Sequence, residues 1–208
     1  MTRAGNQRGV TLIETLVAAL MLVSALAAMF TLYRYQMFSL VAQNSQLDTQ
    51  EAGRAVLDLF TREIRQAGAD PKSTGTIPPI VSASPSKLQV QFDRNGNGAI
   101  DTGESVTYQY ACDTSGCSMT RQVSGGTAIV FATSAPTGST SIFTYFDGTG
   151  TAIVPGGAGG TLTAAQLASV RRVSISLTLR RKSPDPRSSL ILASSYGTTV
   201  DLRNRWMR

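Results

Sequence analysis

Between Val10 and Tyr33 the chain reads VTLIETLVAALMLVSALAAMFTLY, an apolar run broken by one charge. As a helix rising 1.5 Å per residue it would extend roughly 36 Å, enough to cross the hydrocarbon core of a bilayer. Ahead of it, Met1–Gly9 is short and polar, with Arg3 and Arg8 and no acid. Positive charge before the span predicts an orientation with the N-terminus inside and the rest of the chain exported. The one charge is Glu14. A carboxylate at such a place costs about 2–3 kcal/mol or more unless it is paired, so it implies a function and a cationic partner. No Lys or Arg follows within helical reach, which leaves Arg8 or a charge on another molecule.

Nothing stops a helix at the end of this run. No Pro occurs from Met1 to Asp70, and no Gly between Val10 and Ala52. Ala52, Ala55, Val56, Leu59, Phe60 and Ile64 recur at spacings of three and four, one face of a helix. Arg54, Asp58, Arg62 and Arg65 lie off that face, where Asp58 can pair with Arg54 or Arg62. Gly53 is a weak point that a helix tolerates, and Gly68 and Pro71 mark its stop. The spacing therefore predicts one helix from Val10 to about Gln66, roughly 85 Å long by its rise per residue. Its second half should pack on the rest of the chain.

From about Ile77 the period changes to two. Leu88, Val90 and Phe92 alternate with polar residues, as do Val106, Tyr108 and Tyr110, and Val173 to Leu179 is the longest such stretch. Further strands are expected at Ala128–Ala132, Ile142–Phe146, Leu190–Leu192 and Thr198–Leu202, and a short helix at Thr163–Val170. Pro155–Gly160 and Ser134–Thr140 read as loops. One alternating face suits an antiparallel sheet buried on one side against the helix. The fold class is α+β: a long N-terminal helix packed on a C-terminal antiparallel β-sheet head.

Composition narrows the chemistry. The 208 residues contain no His, which removes Ser-His-Asp and Cys-His catalysis and any His-ligated metal. There is no G-x-S-x-G elbow and no H-E-x-x-H helix, and an enzyme is not expected. The two cysteines, Cys112 and Cys117, are too few for a four-thiolate site, and in an exported chain they suggest one disulfide. Free thiols would instead imply a reducing compartment. The net charge of +6 comes from scattered basic residues, such as Arg171–Arg172 and Arg180–Arg181, and reads first as ordinary surface charge. DNA is a weakly supported partner, without a reading helix or aromatic stacking motif.

Asp93 to Glu104, DRNGNGAIDTGE, fits the calcium-loop pattern D-x-[DN]-x-[DN]-G-x5-E. Calcium takes six to eight oxygens. Asp93, Asn95, Asn97, Asp101 and Glu104 would offer side chains, Ala99 its carbonyl, and Gly98 the sharp turn. Both flanks look like strands, so this would be a loop in a strand connection. Three carboxylates would give modest affinity, about 10⁻⁴–10⁻³ M. The other reading is an Asn-Gly-rich hairpin loop that binds nothing.

Arg8-Gly9-Val10-Thr11-Leu12-Ile13-Glu14 resembles the prepilin motif of type IV pilins and of type II secretion pseudopilins. The resemblance implies cleavage between Gly9 and Val10 by a prepilin peptidase and N-methylation of Val10, where the family usually has Phe. It implies that Glu14 contacts the free amine of a neighbouring subunit during assembly. An α-amine, with a pKa of about 8, is positive at neutral pH. The implied organisation is a leader peptide at 1–9, a transmembrane and assembly helix at 10–33, the amphipathic half of the helix at 34–68 and a periplasmic head at 69–208. The size and the ending Leu202-Arg203-Asn204-Arg205 are similar to those of W-type minor pilins. The implied function is that of a minor pilin held in the inner membrane, then built into a filament with other pilins, near the tip. The alternatives are a minor pseudopilin of type II secretion and a DNA-binding or adhesive tip subunit. Two other readings of the N-terminus stand beside these: a secretory signal peptide cut after Ala25-Leu26-Ala27, and a plain single-pass anchor.

Overall fold

The computed structural model describes residues 10–135, 140–183, 185 and 188–205. Arg8, Gly9 and the rest of the expected leader lie outside the described residues, as does most of the Ser134–Thr140 loop. Two compact units divide the chain, Met1–Ser45 and Gln46–Arg208.

The first unit is the first part of helix α1, Leu12–Gln66. Every residue from Val10 to Tyr33 is exposed. Leu20, Met21 and Leu22 are each more than 60% exposed, which for a side chain in water would forfeit most of its burial energy. The helix is long and apolar enough to cross a membrane.

The second unit holds the rest of α1 and two antiparallel sheets. The buried face of α1 consists of Thr49, Gly53, Val56, Phe60, Glu63 and Ile64. It departs from the stripe expected from apolar spacing: Ala55 is exposed and Leu59 half-exposed, while a glycine, a threonine and a glutamate point inward. The helix stops at Gly68, whose φ of 74° is open to glycine and closed to most other residues. Its N–H donates to Gln91 C=O at 2.8 Å, and the Asn204 amide donates to the carbonyls of Gln66 and Ala67. The orphan carbonyls of the last turn thus find partners.

The first sheet is a meander of β1 (Ile80–Ala83), β2 (Lys87–Gln91), β3 (Ser105–Cys112), β4 (Cys117–Val123) and β5 (Ile129–Ser134), in that spatial order. The second has the order β7-β6-β8-β9, from β6 (Phe143–Phe146), β7 (Ala152–Ile153), β8 (Arg172–Lys182) and β9 (Ile191–Asp201). The single sheet expected from the sequence is therefore two. They are stitched where β5 meets β8: Ala135 N–H donates to Arg180 C=O at 2.6 Å, and Arg180 N–H to Ser134 Oγ at 2.8 Å. The separate strands expected at Leu190–Leu192 and Thr198–Leu202 are the two ends of β9, whose middle, Ala193–Gly197, has Tyr196 as its one large side chain and so shows no apolar period. The expected short helix is α2, Ala164–Ser169, closed at its start by a capping box between Thr163 and Gln166.

One core joins these parts. Phe60 of α1 meets Tyr108 of β3 edge-on at 5.4 Å and stacks on Phe143 of β6 at 5.9 Å, so one helix side chain touches both sheets. Leu88, Val90 and Met119 line the first sheet's inner face, and Ile175 and Leu177 the second's, all fully buried.

Candidate functional site

Glu14 stands in the first turn of α1. Its N–H lies 3.0 Å from Thr11 C=O and 3.4 Å from Thr11 Oγ1, so Thr11 occupies the capping position. Thr-x-x-Glu is the spacing of a capping box, a signal present in the sequence that the pilin-like reading passed over. Further along, the apolar run satisfies its own hydroxyls. Thr15 Oγ1 donates to Leu12 C=O, Ser24 Oγ to Met21 C=O and Thr31 Oγ1 to Ala28 C=O, at 2.7–2.8 Å. Glu14 has no cationic partner among the described residues, and Val10 beside it is 70% exposed.

The 93–104 loop joins β2 to β3 and is held closed by its own amides. Asp93, only 2% exposed, accepts the N–H groups of Gly96 and Asn97 on Oδ1 and of Gly98 on Oδ2. Glu104, 4% exposed, accepts those of Arg94 and Asn95 on Oε1 and of Asp101 on Oε2. Gly96 and Gly98 have φ of 72° and 83°, which turns successive N–H groups toward Asp93. The side chains of Asn95 and Asn97 converge on Asp101 Oδ2, at 3.0 and 2.6 Å, and the Lys72 ammonium donates to Asn97 C=O. A carboxylate oxygen has two lone pairs, so Asp93 Oδ2 and Glu104 Oε2 each keep one. Among the described residues no group of three or more His, Cys, Asp or Glu is placed to hold a metal ion. The loop brings together Asn95, Asn97 and Asp101, while Asp93 and Glu104 are committed mainly to its backbone; the Ala99 N–H bonds Asn97 Oδ1.

Cys112 and Cys117 face each other across the β3–β4 hairpin and form a disulfide, with Cα atoms 3.9 Å apart. Inside it, the Asp113 carboxylate accepts the Ser115 hydroxyl and the N–H groups of Ser115 and Gly116, and these bonds hold its pKa below the usual carboxylate range. Together they hold the hairpin tip in one shape.

Sequence reasoning missed a buried polar group at the heart of the head. Glu63 of α1, 5% exposed, pairs with Arg121 of β4 and accepts the Tyr108 hydroxyl from β3. Both Glu63 oxygens accept Arg121 Nε, at 3.1 and 3.2 Å. The hydrogen bond to Glu63 raises the guanidinium pKa further, and burial, then the Glu63 charge, push the Tyr108 hydroxyl far up. The one available signal was Glu63 beside Ile64, on the apolar side of the helix.

Protein-family models, curated proteins and solved structures were compared with the chain, and none matches it.

Proposed function

We propose that this chain is a filament subunit of the type IV pilin kind, a minor pilin, exported from the inner membrane and built into the filament by its N-terminal helix. The observation that carries the reading is Glu14: a carboxylate at the start of α1, in the exposed apolar run from Val10 to Tyr33, whose hydroxyls at Thr15, Ser24 and Thr31 are satisfied within the helix. Such a charge favours a cation from elsewhere. Prepilin cleavage after Gly9 would create one at Val10 of a neighbouring subunit. Two opposite charges meeting in the membrane offset each other's desolvation and fix the register of docking. A secretory pseudopilin would use the same chemistry, and the machine that incorporates the chain separates the two. Salt-dependent DNA retention would favour a DNA-binding tip.

Intact mass and N-terminal sequencing of the protein from native membranes test the processing step. A chain beginning at Val10 with one added methyl group is expected; one beginning near Ala28, or an uncut Met1, would sink the proposal. The role of Glu14 needs its own test, because the Thr-x-x-Glu spacing also offers that residue a helix-capping role. Glu14→Gln keeps a side chain that can cap and removes the charge. Filament incorporation should fall sharply in Glu14→Gln and Glu14→Ala alike while membrane insertion persists. Normal incorporation of Glu14→Gln would reduce Glu14 to a cap.

Calcium in the 93–104 loop is the second element of the proposal. It would take the open lone pairs of Asp93 and Glu104, with Asn95, Asn97, Asp101 and the Ala99 carbonyl completing an all-oxygen set. Calorimetry with millimolar calcium reads it directly, and no heat of binding would remove it.

A further inference from the structure

Four strands end the two sheets, and three of these edges are guarded. β1 has four residues, an irregular register beside Ser82, and its Ala83 C=O is taken by the Leu162 N–H. β7 has two residues and is followed closely by Pro155. β5 has six, an irregular register at its partner, and is closed at its end by Arg180 of β8. Short length, irregularity and covering are the usual ways of keeping an edge from pairing.

Among the described residues β9 has none of them. It runs eleven residues, keeps an unbroken register against β8 from Lys182↔Ile191 to Arg172↔Asp201, and contains no Pro, Lys or Arg. The phase of its ladder follows from the bond of Leu202 N–H to Arg171 C=O, one step beyond its end. By alternation, even-numbered residues of β9 bond to β8, and the N–H and C=O groups of Ala193, Ser195, Gly197 and Thr199 face away. These residues are all exposed.

We propose that this edge is a pairing surface for β9 of a second copy, antiparallel about a twofold axis at Tyr196. That register joins odd residues to odd residues, so outward N–H groups meet outward carbonyls: Ser195 opposite Gly197, and Ala193 opposite Thr199. On the other face the half-buried Leu192 falls opposite Val200, which stays in its own core, and Ser194 opposite Thr198, small polar with small polar. Ile191–Val200 carries no charge, and the two Asp201 side chains fall at opposite ends, so self-pairing brings no like charges together. An edge of about 36 Å contributes backbone bonds with little apolar burial, which places the dimer in the weak, concentration-dependent class. The inference stands whether or not the chain enters a filament.

The test uses the full chain in detergent micelles, by sedimentation equilibrium. Wild type should move from monomer to dimer with rising concentration. Ser195→Lys and Ser195→Glu each place like charges on neighbouring positions across the axis, on a side chain that is exposed. Each should weaken dimerisation at least about tenfold with little change in melting temperature, and their equimolar mixture should recover it. Wild type that stays monomeric, variants that still dimerise (association through the apolar helix), or a mixture that does not recover would each overturn the proposal.

Discussion

At the scale of single residues, Glu63 is worth far more to the head than any surface charge. Asp58 and Arg62 pair one turn away on the same helix, but their side chains are 61% and 69% exposed. Such a pair contributes about 0.3–0.5 kcal/mol. The Glu63 and Arg121 side chains are only 7% and 15% exposed, and Glu63 also accepts Tyr108. Glu63→Ala leaves a guanidinium and a hydroxyl without their acceptor, and should cost about 3–5 kcal/mol in denaturant unfolding, against under about 0.5 for Asp58→Ala. The same cluster sets an alkaline limit. Tyr108 is pushed up by burial and by Glu63, and Tyr145 of β6 by burial, each far above an ordinary tyrosine. A raised folded pKa gives stability fully present below the unfolded value, about 10, and lost as pH rises above it, because only the unfolded chain can then ionise. The melting temperature should be level to about pH 9.5 and fall beyond it, and Tyr108→Phe should make that fall shallower.

Elements show which signals survive in a sequence and which do not. The extent of α1 was legible, because no Pro interrupts it, its single glycine Gly53 is tolerated, and Thr11 at its start and Gly68 at its stop are local signals. The strands carrying Leu88, Tyr108 and Ile175 were legible for the same reason: a period of two needs only neighbours. β4 was not, since CSMTRQV buries Cys117 and Met119 and then spends Arg121 on an ion pair made across 58 residues. The inward face of α1 was misread at Gly53, which looks like a helical weakness. A Cβ there would lie 2.8 Å from the Tyr196 ring of β9, so the glycine is what lets strand and helix approach. Gly53→Ala should therefore destabilise by about 1–3 kcal/mol although alanine favours a helix by about 1, and a stabilised variant would contradict the close approach. The 93–104 loop was legible as a motif, but its spacing could not reveal that Asp93 binds three backbone N–H groups. Asp93→Ala should lower the melting temperature even in EDTA, and calcium binding would add a further calcium-dependent loss; equal losses in EDTA and calcium mean that the loop is stapled by amides alone.

For the whole molecule, the segments 10–33 and 202–204 differ in what they carry. Every hydrophobic core residue lies at Val56 or beyond, inside the unit that begins at Gln46. Residues 10–33 contribute nothing to that core. At the other end, Leu202 is fully buried, its N–H closes the β8–β9 ladder on Arg171, and Asn204 caps the carbonyls of Gln66 and Ala67. Asn204 thus fastens the end of a helix made more than a hundred residues earlier, a contact local propensity cannot foresee. Tolerance to truncation follows burial and hydrogen bonding of the backbone removed, not distance from an end. A chain starting at Gln46 should unfold cooperatively, with its disulfide intact and a melting temperature within a few degrees of the full chain. A chain stopped after Asp201 loses a buried leucine and a helix cap together, and should be destabilised by about 3 kcal/mol or more. If urea unfolding ranked these two truncations the other way, the head's stability would have to come from residues 1–45, and the division of the chain at Gln46 would be wrong.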